Sequence, residues 1–201
     1  MNSFALKKTS LTFKFLLTLL VIFASFLIST SGADAMSVSS SANPGWPSKC
    51  GIKIGLLIDR SNSISDSEGT QFKTAAKGFV DALAGTSSQI AVAQFRQTAT
   101  QTLGLTSVFD AAGQTTVKNT IDGYNFGTSD GAGSTNWESA FYTQQSVAAD
   151  VIIILTDGNP TSRDLDGEGG NGSSDPADYN IDAGITRANE LKAQGKRVVA
   201  V

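Results

Sequence analysis

Asp59, Ser61 and Ser63 stand at alternate positions where the apolar run "IKIGLLID" gives way to "RSNS". Alternate side chains of an extended chain share a face, so a strand ending here aims one carboxylate and two hydroxyls at one place. A second apolar run, "DVIIIL", is followed by a carboxylate at Asp157 in "TDG". Between the two runs, Thr135 stands in "GSTNWESAF", just ahead of a helical pattern. These are all hard oxygen donors, with no thiol or imidazole among them. Such a set suits Mg²⁺ or Mn²⁺, with Ca²⁺ also in range, better than zinc or copper. Hydrolytic chemistry is the competing use of a hydroxyl near a divalent ion. The 201 residues contain no histidine, so they cannot build a Ser-His-Asp triad. The first run ends D-R-S and not D-x-D, so an aspartyl nucleophile pair is absent too.

The elements that must position these residues follow an alternating pattern. Residues 52–59 are nearly all apolar, as in a strand covered on both faces. Ser65 and Glu68 form an S-x-x-E capping box that opens a helix. Phe72, Ala76, Phe79, Val80 and Leu83 make its apolar stripe, and Gly85 suits its end. Strands are predicted over 89–95 and 98–105, joined too tightly for a crossover helix and therefore antiparallel. Helical spacing recurs around Val117, Ile121 and Tyr124, and again around Trp137, Phe141 and Tyr142. The run 150–155 is the most apolar strand and is expected at the centre of the sheet. A helix over 181–194, with Ile181, Ile185, Ala188 and Leu191 inward, leads through Gly195 to the strand pattern "RVVAV". The pattern predicts an α/β fold: a doubly wound, mostly parallel Rossmann-like sheet with one antiparallel edge strand. Because the sequence stops on a strand, the domain is expected to continue beyond Val201. In such sheets ligands bind at the carboxyl ends of strands, where Asp59 and Asp157 both fall.

Asp59-Arg60-Ser61-Asn62-Ser63, Thr135 and Thr156-Asp157-Gly158 appear in that order, each on the right kind of element. In this the chain resembles the von Willebrand factor type A domain with its metal-ion-dependent adhesion site. The resemblance spans about residues 50–201. It implies that Ser61, Ser63 and Thr135 touch a divalent metal, while Asp59 and Asp157 act largely through water and through hydrogen bonds to those ligands. It also implies a partner protein whose Glu or Asp carboxylate completes the metal shell. The function implied is that of a secreted or surface-exposed adhesion module. The alternatives are a metal-dependent hydrolase, or a module serving self-assembly of a pilus or surface structure. Some relatives close the domain's ends with a disulfide, which implies a partner for Cys50 beyond Val201. Integrin members hold an adjacent cation through acidic residues near the position of Asp66. Here Ser67 replaces their second acid, and Asp66 reads as a charge at a helix N-terminus.

Two features of the long loop 163–182 carry less. Asp164, Asp166 and Glu168 alternate and could chelate Ca²⁺, but they read first as a solvated acidic loop. The literal G-x-G-x-x-G at 167–172 neither follows a strand directly nor opens a helix, so it is not a dinucleotide site. Composition excludes other classes. Lys7, Lys8, Lys14 and Asp34 give the first 35 residues +2 of the chain's net −3, leaving −5 on the rest. No basic block is present, which argues against nucleic acid.

The three lysines precede an apolar stretch, Phe15 to Ile28, followed by Ala33-Asp34-Ala35. That is the layout of a cleaved signal peptide over 1–35, and the apolar stretch is shorter than the roughly 20 residues that span a bilayer. Residues 36–49 are Ser- and Pro-rich and read as a linker, and 50–201 as the domain itself, with no membrane span. The exported product is expected to begin at Met36. N-terminal sequencing of secreted protein reads this directly, and a membrane-retained product starting at Met1 would contradict it.

Overall fold

The computed structural model describes residues 38–127, 133–164, 172–173 and 177–201. The chain divides into two compact units, Met1–Ala35 and Met36–Val201, and the described residues all belong to the second. Strand β1 (Lys53–Asp59) leads to helix α1 (Asp66–Ala82), then β2 (Gln89–Phe95), β3 (Ala99–Ser107) and α2 (Ala111–Asp122). After α3 (Trp137–Thr143) come β4 (Val151–Leu155), the two-residue strands β5 (Arg163–Asp164) and β6 (Gly172–Ser173), α4 (Ala177–Ala193) and β7 (Arg197–Ala200).

The main sheet has the order β3-β2-β1-β4-β7. β1 pairs in parallel with β2 and β4, β4 pairs in parallel with β7, and β3 is antiparallel to β2. This is the mostly parallel sheet with one antiparallel edge strand that the sequence predicts. The expectation of β4 at the centre is corrected: β1 occupies the middle, with β4 beside it. Apolar content follows cover on both faces, which β1 and β4 share, and so does not rank them.

Both faces are covered. Ile54, Leu56 and Ile58 pack with Ala76 and Val80 of α1 and with Val117 and Ile121 of α2. Leu57 faces the other way, in a cluster with Phe141 of α3 and Leu191 of α4. Helix α4 begins four residues ahead of the expected 181 because "ADYN" extends its first turn. Tyr124 lies outside α2, which ends at Asp122 with Gly123 as its C-cap, yet it remains buried in the first cluster. Cys50 is exposed and carries no disulfide. Among the described residues no helix is long and apolar enough to cross a membrane.

Residues 38–46, read from sequence as part of a linker, are tied along α4 and β7. Val38 N–H donates to Asp182 Oδ1 at 2.9 Å, and the Arg197 guanidinium lies 4.3 Å from the Trp46 ring centre. The Asn43 amide acts as a short piece of strand: it donates to Val198 C=O at 2.9 Å and accepts from Val198 N–H at 2.8 Å. A side chain thus satisfies an outward-facing pair of backbone groups at a sheet edge. Asn43→Ala is expected to speed hydrogen exchange at the Val198 amide and to cost on the order of 1 kcal/mol of stability. Unchanged exchange at Val198 would mean that this segment does not hold the edge.

Candidate metal centre

Three loops at the carboxyl ends of β1 and β4 form the site. The first leaves β1 at Asp59 and turns at once, with Ile64 N–H donating to Ser61 C=O at 3.1 Å and the Ile64 side chain fully buried as an anchor. Ser65 then caps α1, and the Ser65–Glu68 capping box forms on both sides. The helix N-terminus therefore has its own cap, which leaves Ser61 and Ser63 to other work. Asp66 lies in the first turn of α1, as expected. The second loop, 133–136, precedes α3, whose N-cap is Asn136: its side chain accepts from Ser139 N–H at 3.0 Å. Thr135 is thus not the cap of this helix. The third loop follows β4 through Thr156 and Asp157.

Backbone hydrogen bonds tie the loops together. Asn62 N–H donates to Gly133 C=O at 3.1 Å, and Thr135 C=O accepts from Thr161 N–H at 2.8 Å and from Ser162 N–H at 3.1 Å. Thr161 Oγ1 accepts from Thr135 N–H, and Ser134 Oγ donates to Ser162 Oγ at 2.7 Å. Within this frame a chain of oxygen atoms runs across the sheet edge. Asp59 Oδ1 accepts from Ser61 N–H at 2.8 Å, Ser61 Oγ lies 3.0 Å from Ser63 Oγ, and Ser63 Oγ donates to Asp157 Oδ1 at 3.1 Å. The structure therefore joins Asp59, Ser61, Ser63 and Asp157 directly. Thr135 is buried in the adjoining loop, and among the described residues no hydrogen bond links its hydroxyl to the other four.

Asp59 is fully buried, and its Oδ2 accepts from Thr156 Oγ1 at 2.6 Å. Both named partners are neutral. Burial raises its pKa from the ordinary 3.8 to about 6, against the lowering effect of the Thr156 and Ser61 hydrogen bonds, and the nearby Asp157 carboxylate adds to the rise. A buried carboxylate held by neutral donors beside a second carboxylate is an environment short of positive charge. The donors around it are hydroxyls at hydrogen-bond spacing, open to solvent on the side of Ser63 and Asp157. The residues present therefore fit a hard divalent cation. Among the described residues no three His, Cys, Asp or Glu side chains cluster to hold a metal, so any site here must draw on hydroxyls.

Sequence reasoning gave Thr156 no role, though it stands beside Asp157 and steadies Asp59. It also missed Asn136, and it gave Asp164 a place only in the acidic loop. Asp164 is buried, accepting from Asn136 Nδ2 at 2.9 Å, with its backbone N–H donating to Glu138 Oε2 at 3.0 Å. This corrects its reading as part of a solvated acidic loop. The turn-forming residues of "DGNP" could have signalled that the chain changes direction after β4. Asp166 and Glu168 lie outside the described residues, as does Asn171 with most of the G-x-G-x-x-G stretch.

The family model for the von Willebrand factor type A domain matches residues 53–193. No curated protein matches the chain. Among solved structures, the chain is similar to the pilus adhesin SpaC of Lactobacillus rhamnosus GG, with a TM-score of 0.57 and 16% identity over 80% of this chain and 25% of that one. It is also similar to proximal thread matrix protein 1 of the mussel byssus, with a TM-score of 0.55 and 24% identity over 75% of this chain and 35% of that one. The chain thus spans about a quarter to a third of these proteins, and at such identities the likeness is one of fold.

The raised pKa of Asp59 sets a pH dependence for the ion-free protein. The folded state binds this proton more tightly than the unfolded chain does, so stability falls as pH rises from about 4 to about 6 and stays low above. A shift from 3.8 to about 6 corresponds to on the order of 3 kcal/mol. Urea unfolding in chelator across this range is expected to show that loss, and Asp59→Asn to remove it. Parallel pH profiles for the two proteins would contradict the assigned environment of Asp59.

Proposed function

The chain belongs to the von Willebrand factor type A domain family, and from that premise we propose that it is an extracellular or surface-exposed binding module that captures a carboxylate of a partner protein through a divalent cation. The observation that carries the reading is the hydrogen-bonded run from buried Asp59 through Ser61 and Ser63 to Asp157 at the sheet edge. Ser61, Ser63 and Thr135 would hold the ion, while Asp59 and Asp157 orient hydroxyls and supply negative charge nearby. When bound, Mg²⁺ or Mn²⁺ supplies a Lewis-acidic position that attracts an anionic oxygen, and few anionic ligands from the protein would leave that attraction strong.

This chain's own residues prepare the position. Asp59, anchored by Ser61 N–H and Thr156 Oγ1, fixes the start of the first loop. Thr161 and Ser162 clamp the backbone of Thr135. Ser63 and Asp157 form the solvent side, where a partner side chain can enter. The similar structures, a pilus adhesin and a thread matrix protein, support a role outside the cell in attachment or assembly. Turnover is not part of the reading. With no histidine in the chain, Asp59 and Asp157 are the nearest candidate bases, and the metal role already occupies both.

Calorimetric Mg²⁺ titration of the full-length protein tests the reading. Thr135 does not cap α3, so Thr135→Ala is expected to fold with at most about 1 kcal/mol lost. Both Thr135→Ala and Asp157→Ala are expected to weaken Mg²⁺ binding by about 10- to 100-fold. Equal affinity in wild type and both variants would reject the site. Metal-dependent turnover of a peptide or phosphoester would replace the binding reading with a hydrolytic one.

A further inference from the structure

Ser61, Ser63 and Asp157 hold one another through their side chains. Thr135 differs, because among the described residues no hydrogen bond joins its hydroxyl to that run, so its place depends on the backbone that carries it. That backbone is closed into a ring. Thr135 C=O accepts from Ser162 N–H at 3.1 Å. Two residues after Ser162, Asp164 Oδ1 accepts from Asn136 Nδ2 at 2.9 Å. The peptide bond between Thr135 and Asn136 completes the circuit. Two segments remote in sequence, 135–136 and 162–164, therefore hold each other at both ends.

The ring is braced from two helices. Glu138, in the first turn of α3, accepts from Asp164 N–H on Oε2 at 3.0 Å and from Arg187 Nη2 of α4 on Oε1 at 3.3 Å. Asn136 is fixed as well: it caps α3 through Ser139 N–H, and its own N–H donates to Arg96 C=O at 3.0 Å. Asp164 is buried, and the Glu138 and Arg187 side chains are only 11% and 14% exposed. Hydrogen bonds to charged groups are stronger than neutral ones, and with water largely kept out they fix geometry. An octahedral shell such as that of Mg²⁺ needs this, since a neutral hydroxyl serves the ion only where it is held in place.

Resting on the metal reading above, we propose that Asp164 is a positioning residue for the ion. With Glu138 behind it, Asp164 sets the backbone of the Thr135 loop so that the Thr135 hydroxyl meets the cation held by Ser61 and Ser63. Arg187 extends the same constraint to α4. The metal centre then has two tiers. Oxygen donors stand at the sheet edge, and two buried acids behind them fix the loop whose donor is not held by the others.

The test uses the full-length protein, with Mg²⁺ affinity read by calorimetry. Asp164→Ala opens the ring and is expected to weaken Mg²⁺ binding about tenfold. In a Thr135→Ala background the same change is expected to cost nothing further, because the hydroxyl it positions is gone. Asn136→Ser keeps a capping oxygen for α3 but loses the donor to Asp164. It is expected to repeat both results, and it decides the matter if Asp164→Ala does not fold. In chelator, both variants are expected to speed hydrogen exchange at the Ser162 amide, while the Ile64 amide, bonded within the first loop, keeps its rate. Wild-type Mg²⁺ affinity in both variants, or an equal fold loss with and without Thr135, would overturn the inference while the metal site stands. Absence of Mg²⁺ binding by wild type would instead overturn the metal reading and this inference with it.

Discussion

The structure turns on one buried charge. Asp59 ends the middle strand of the sheet, is fully buried, and is held there by a backbone N–H and a threonine hydroxyl. Ionised carboxylates are rarely kept inside a protein on neutral partners alone, because removal from water costs more than such hydrogen bonds return. The tension shows in its pKa of about 6. A nearby divalent cation would relieve the tension, and the surrounding hydroxyls have the chemistry to hold one. The architecture around Asp59 makes sense as a means of putting such a carboxylate at a rigid position, close to solvent but not in it.

β1 provides the rigidity. It pairs on both sides in a parallel sheet and is covered on both faces, so its backbone has no edge and little freedom. The apolar run stops at Ile58, because the next residue, Asp59, is the last of the strand and stands at the edge of the sheet where the loop begins. The loop that follows is short and pinned by Ile64 and by the Ser65 cap of α1. Loops from three separate parts of the chain then meet through backbone bonds, which fixes the hydroxyls without using them. The same edge continues to the end of β2, where Arg60, which follows β1, and Arg96, which follows β2, line one small opening.

Much of this was legible in the sequence because local rules agree with the tertiary structure. The apolar runs marked β1 and β4, the S-x-x-E box marked the start of α1, and the tight connection after Phe95 marked the antiparallel β3. Alternate spacing at 59, 61 and 63 placed three donors together, and the structure joins them to Asp157. What stayed hidden depends on contacts remote in sequence. Strand order is decided by crossovers, so the central place of β1 could not be read from apolarity. The burial of Asp164 depends on Asn136 and Glu138, nearly thirty residues away. The docking of 38–46 depends on an asparagine meeting an edge strand about 150 residues later, which Ser/Pro-rich composition does not announce. Thr135 was placed correctly ahead of α3, but Asn136 and not Thr135 caps it, because only Asn136 has its side chain over the first turn.

The central claim is that a divalent cation seats at the ends of β1 and β4. Paramagnetic broadening of backbone amide signals by substoichiometric Mn²⁺ reads the location of the ion without relying on affinity or on any variant. The account predicts that the amides of Ser61, Asn62, Ser63, Thr135 and Asp157 broaden first and together, while those of the 38–46 segment stay sharp. Broadening centred elsewhere, or spread evenly over exposed acidic residues, would contradict it.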